Sequence, residues 1–119
     1  MYDLHEFLEI INIAEISGDK SYNDAQLGNH ILINAEHLPD ITNADIIIVG
    51  INEQRGEGIK SKINSPDAIR TQLYKLHYWH TDIQIADLGN IKTGASLTDS
   101  YAAVKTVVSE LLQIYKPVI

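Results

Sequence analysis

Residues 45–58 read DIIIVGINEQRGEG, an apolar block that runs straight into a turn rich in glycine and charge. Ile46, Ile47, Ile48, Val49 and Ile51 leave no polar face, and all of them are β-branched. Such a block predicts a strand covered by helices on both sides, the central strand of a parallel sheet in an α/β domain. The turn then lies beyond the carboxyl end of the strand, the edge at which open parallel sheets bind ligands. Asn52, Glu53, Arg55 and Glu57 are therefore the candidate rim of a pocket, although the same residues also read as solvated loop charge. A Walker-type phosphate loop is ruled against, because no lysine follows the second glycine. Gly50, Gly56 and Gly58 also lack the spacing of the dinucleotide fingerprint. Glycine here serves a sharp exit from the strand.

Downstream, NSPDAIRTQLYKL opens a helix: Ser65 caps, Pro66 suits the first position, and Asp67 complements the positive helix end. Ile69, Leu73 and Leu76 supply its predicted buried stripe. DIQIADLG follows as a second strand with Ile83 and Ile85 on one face and Ala86 and Leu88 on the other, and NIKTGAS forms the loop beyond it. A second helix opens at Thr98 or Asp99, with Tyr101, Val104, Val108, Leu111 and Tyr115 as its inner face, and Pro117 stops it. Strand, helix, strand, helix makes a right-handed βαβα unit whose strands are expected to be parallel neighbours or near neighbours. This core spans residues 44–119 of a single domain.

Upstream, residues 1–43 form an extension. Leu4, Phe7, Leu8 and Ile11 recur at helical spacing and predict an amphipathic first helix ending before Ser17-Gly18-Asp19. The patch HILIN (30–34) reads as an edge strand or an ordered excursion. At the other end, KPVI enters what reads as a third buried strand. Two parallel strands leave unpaired edges, so the expectation is the front part of a longer chain.

The chain has 119 residues, 45% of them hydrophobic, enough for one ordinary core. A net charge of -7 and a pI near 5.0 weigh against a nucleic-acid partner, which clustered Lys and Arg would serve. Without cysteine there is no disulfide framework and no thiolate ligand or nucleophile. No basic leader and no apolar run of spanning length is present, which predicts a soluble cytoplasmic chain without a membrane partner.

His77, His80 and Asp82 resemble a metal cluster only at first glance. Helical ligands favour histidines four apart, and this segment lies on the face away from the ligand edge, so it reads as a surface turn over Tyr78 and Trp79. His5, His30 and His37 are isolated surface residues. Asp87 is the best single carboxylate on the ligand edge, or else a cap for the turn that follows. Lys60, Lys62, Arg70 and Lys75 make the middle locally basic and read as a solvated face. No Ser, His and Asp set is arranged for nucleophilic catalysis.

Taken in order, ADIIIVGINEQRGEG, SPDAIRTQLYKL, IADLGNI and the long helix ending in KPVI resemble the opening third of the ureohydrolase family, that of arginase, agmatinase and formimidoylglutamase. Ser65-Pro66-Asp67-Ala68-Ile69-Arg70 is similar to that family's GPxAIR helix start, with Ser65 in place of glycine, and Asp87-Leu88-Gly89-Asn90 to its next landmark. The resemblance covers most of residues 44–119. It implies a three-layer α/β/α fold around a parallel sheet, and hydrolysis of a guanidino or amidino C–N bond by hydroxide held between two manganese ions. The family's metal motifs, GGxH, DxHxD and DxDxxD, do not occur here, so no catalytic and no metal-binding residue carries over. Asn52 to Gly58 carry over only as a loop near the mouth of the site.

The leading expectation is thus the N-terminal part of a dimanganese ureohydrolase, formimidoylglutamase-like or arginase-like, inactive alone. Its partners would be the remainder of the parent chain and an amidine substrate, with a homo-oligomer as a further option. The rival expectations are a non-catalytic stand-alone α/β binding or assembly module and a flavodoxin-like phosphate binder anchored at Asn52 to Gly58.

Overall fold

A computed structural model describes residues 4–52, 65–80 and 82–114. In chain order the elements are β1 (Leu8–Glu9), α1 (Ile13–Ser17), β2 (Leu32–Ile33), β3 (Ile46–Ile51), α2 (Ser65–Leu73), β4 (Ile85–Ile91) and α3 (Leu97–Ile114), with single 3-10 turns at Leu4–Phe7 and Leu27–Asn29. They form an α/β domain around a mixed sheet of four strands.

β4, not β3, is the centre of that sheet. β3 runs parallel to it along its length, pairing Ile46 with Ile85 and Ile51 with Ile91, with a register shift between Ile48 and Gly50. The opposite edge of β4 is shared: β2 pairs in parallel at Ala86 and Asp87, and β1 pairs antiparallel at Asn90 and Ile91. The two short strands are tied to each other where the Ile11 amide donates to the Asn34 carbonyl at 2.7 Å. With both edges paired, every residue of β4 from Ala86 to Ile91 is buried. β3 was expected to be central because it is apolar on both faces, yet among the described residues it has β4 as its single neighbour.

Two boundaries shift for the same reason. The predicted first helix is instead a 3-10 turn, the strand β1 and the short helix α1, which Asn12 caps through the Glu15 amide at 3.3 Å and Gly18 closes at φ 64°. Helical spacing of Leu4, Phe7, Leu8 and Ile11 was outweighed by the backbone bonds that Leu8 and Glu9 gain on the open end of β4. That same ladder draws Asn90 and Ile91 out of the predicted loop and into β4. Gly89, at φ 89°, makes the approach possible, since a Cβ there would run into the Glu9 carbonyl oxygen. Both β1 and β2 belong to residues 1–43, so the extension completes the sheet. HILIN supplies β2 as an edge strand.

α3 begins at Leu97, one or two residues before the expected start at Thr98 or Asp99, because Ser96 caps it: its side chain accepts from the Asp99 amide at 3.1 Å. Its buried positions are Ser100, Val107 and Leu111, with Ala103 and Val104 packed beside them, whereas Tyr101 of the predicted inner face points to solvent. Tyr115 and Pro117 lie outside the described residues. Val107 and Leu111 join Ala86, Leu88 and Ile91 of β4, Ile47 of β3 and Leu8 of β1 in the main apolar cluster. A second cluster, around Ile11, Ile16 and Tyr74, lies with α1 and α2. Among the described residues, no helix is long and apolar enough to cross a membrane.

Candidate functional site

α2 was expected to bury Ile69, Leu73 and Leu76. It is rotated instead: Ile69 is 66% and Leu76 58% exposed and only Leu73 stays half-buried beside the second cluster, while Arg70 at 3% and Tyr74 at 0% face the sheet. Arg70, expected on a solvated basic face, is thus a core residue. Residues four apart stack on one helical face, so Arg70 and Tyr74 reach the same point of β4, and that point is Asp87.

Asp87 is fully buried and accepts four hydrogen bonds. Arg70 donates to it bidentately, Nε to Oδ2 at 2.8 Å and Nη2 to Oδ1 at 3.0 Å. Tyr74 donates its hydroxyl to Oδ2 at 2.6 Å, and the Gly89 amide donates to Oδ1 at 3.1 Å. Asp87 therefore both pairs with a cation and caps its own turn. Arg70 Nη1 completes the network, donating to Asp67 Oδ1 at 3.1 Å in the first turn of α2 and to Asn90 Oδ1 at 2.5 Å. Gly50 on β3 closes the cluster from the side, since a Cβ there would collide with Asn90 Oδ1, Pro66 and Arg70.

The electrostatics keep each group in its bonded form. Burial works against the charge of Arg70, but the hydrogen bond and charge of Asp87, helped by Tyr74 and Asp67, outweigh it and hold its pKa above the ordinary value. Burial, then the charge and hydrogen bond of Asp87, push the Tyr74 phenol far above its usual range, so it remains a donor. The two oxygens of Asp87 are each engaged twice, by donors of Arg70, Tyr74 and Gly89. What these bonds do is tie α2 to β4.

Beside this cluster, between the carboxyl end of β3 and the first turn of α2, lies a cavity of about 300 Å³. Gly50, Ile51, Ser65, Pro66, Ile69 and Leu73 line it, a mostly apolar set. Asn52, half-buried, follows β3 at this end. Glu53, Arg55 and Glu57, the other candidate rim residues, lie outside the described residues, as do Lys60 and Lys62.

At the opposite end of β4, His77 forms a backbone bridge with Gln26, and Trp79 is 71% exposed rather than packed under the turn. Tyr78 is half-buried against His30, ring centroids 5.0 Å apart, so His30 is not the free surface residue expected; its Nε2 also meets the Asp24 carbonyl oxygen at 2.5 Å. Among the described residues, no three His, Asp or Glu side chains gather as a metal site.

Sequence reasoning singled out Asp87 but not its partners. The signal was there: a lone carboxylate inside a strand that is otherwise apolar and covered needs a cation, and Arg70 opens a spacing of four that ends on Tyr74. No family model, curated protein or solved structure matches the chain.

Proposed function

We propose that the chain is the N-terminal scaffold of a ureohydrolase-type hydrolase of linear amidines or guanidines, formimidoylglutamase-like or arginase-like, and is not itself catalytic. One observation carries this reading. The two motifs behind the resemblance, SPDAIR and DLGN, are separate in sequence, yet Arg70 of the first bonds Asp87 and Asn90 of the second. A shared structural purpose explains why both would occur together. The finer architecture proposed with it is a three-layer α/β/α arrangement around a largely parallel sheet. Its support is that Ala86 and Leu88 meet α3, while Asp87 between them meets α2.

The two manganese ions of such an enzyme do not fit the residues described here, because Asp87 is committed to Arg70 and Tyr74 and no metal-ligating group gathers around it. In this proposal their ligands belong to the remainder of the parent chain, and Asn52 to Gly58 help frame the mouth of the site. The test joins sequence to activity. Coding sequence continuous with Ile119 is expected to open with a Gly-Gly-x-His loop, and the extended protein to release urea or formamide from arginine, agmatine or formimidoylglutamate with manganese. A stop codon directly after Ile119, or turnover by these 119 residues alone, overturns it.

A second reading, a non-catalytic binding or assembly module, draws on the apolar cavity between β3 and α2.

A further inference from the structure

Residues 12–31 leave the sheet and return to it at one place. β1 and β2, which flank them, both pair with β4, and the Ile11 amide donates to the Asn34 carbonyl across their base at 2.7 Å. Between those tied ends the segment lies against α2, and the main apolar cluster draws no residue from 9–31. Its own apolar side chains, Ile13, Ile16, Tyr22 and Ile31, pack with Leu73 and Tyr74 in the second cluster. Polar bonds complete the contact. The Leu27 and Gly28 amides donate to the Leu76 and Tyr74 carbonyls at 2.8 and 2.9 Å, Gln26 Nε2 donates to the Lys75 carbonyl at 3.3 Å, and the Tyr78 amide donates to the Ala25 carbonyl at 2.7 Å. Carbonyls at a helix end lack donors within the helix, and this segment supplies them.

We infer that residues 12–31 are a hinged cover over Tyr74 and the buried network behind it, and that the cover opens as one unit while the sheet and α3 stay folded. The sheet and the main cluster lose no member when the segment lifts, because its ends are tied to each other at Ile11 and Asn34. The closed position also carries a cost. Tyr22 sets its ring edge-on against Tyr74, centroids 6.1 Å apart, yet its hydroxyl is buried without a hydrogen-bond partner. Water satisfies that hydroxyl once the cover lifts, so its desolvation favours the open state. A segment held by a separate small cluster and a few backbone bonds opens locally, below the free energy of global unfolding. Opening admits water to Tyr74, which is fully buried in the closed protein and whose hydroxyl bonds Asp87. The cover thereby controls whether the network is dry. The inference stands apart from the hydrolase reading, because it needs neither metal nor substrate.

Native-state amide exchange on the full chain tests this. The amides of Leu27, Gly28 and Tyr78, all bonded between cover and α2 end, are expected to share one opening equilibrium, at least about tenfold more open than that of the β3–β4 ladder. Ser96→Ala weakens α3, which stays folded whether the cover is open or closed. It should therefore speed exchange in the ladder and leave the Leu27, Gly28 and Tyr78 amides unchanged. Tyr22→Phe keeps the ring and deletes the unpartnered hydroxyl, and should slow those amides by about tenfold. Gly28→Ala should act in the opposite sense, speeding them by about tenfold, since a Cβ there collides with the Tyr22 ring. Exchange of these amides only together with the ladder, unequal opening among them, or a response to Ser96→Ala equal to that of the ladder overturns the inference. Failure of Tyr22→Phe to slow them also overturns it.

Discussion

On one side of β4, Ala86 and Leu88 meet Val107 and Leu111 of α3 in an apolar cluster, while on the other Asp87 meets Arg70 of α2 and Tyr74 just beyond its end through hydrogen bonds. Adjacent residues of one strand thus attach two helices by different physics. Apolar packing is graded: each lost methylene removes its own contribution, and neighbours partly close the gap. The ionic contact is conditional. Its charges are stable inside the protein only because each satisfies the other, and the net worth of the pair is small compared with the cost of breaking it.

The largest effect should come from breaking that condition. Arg70→Ala leaves Asp87 buried without its cation and is expected to cost about 4 kcal/mol in urea unfolding. Arg70→Met combined with Asp87→Leu removes both charges and should cost much less than Arg70→Ala alone. If the double variant were the worse of the two, the contrast between the faces would be wrong.

A smaller effect isolates the phenol. Tyr74→Phe keeps the ring packing and deletes the 2.6 Å bond to Asp87, at an expected cost of about 2 kcal/mol near neutral pH. It should also change the alkaline limb of stability. The folded protein keeps the Tyr74 proton above the ordinary value of 10.0, whereas the unfolded chain gives it up there. The folded state then binds more protons, so this contribution is fully present below that value and declines as pH rises past it. In urea midpoints measured from neutral to strongly alkaline pH, the variant should show a flatter decline than the parent. Identical slopes would remove the titration of Tyr74 from the account.

The smallest effect belongs to the apolar side. Ser96→Ala removes the cap of α3 and should cost about 1 kcal/mol, with no change in pH dependence. A pH-dependent loss would mean that α3 is coupled to the ionic face.

How much of this was legible differs from element to element. β3 was readable because six consecutive apolar or glycine positions bounded by Asp45 and Asn52 fit little else. α2 was readable from Ser65-Pro66-Asp67, but its rotation was not. Ile69, Leu73 and Leu76 form as plausible an inner stripe as Arg70 and Tyr74, and periodicity ranks the aliphatic one first. Asp87 could be picked out as the carboxylate of interest, while its engagement by a helix residue seventeen positions earlier could not. The first helix was misread because local spacing says nothing of a distant strand end in want of partners.

By itself the sequence determined where apolar blocks, caps and breakers lie, and so which segments become the longer strands and helices, because those preferences act within a few residues. Tertiary structure alone decided that β4 is central, that Leu8–Glu9 is a strand, and which face α2 turns inward. Each of these depends on satisfying backbone groups or a buried charge with residues far away in the chain, and that requirement exists only once the parts are assembled.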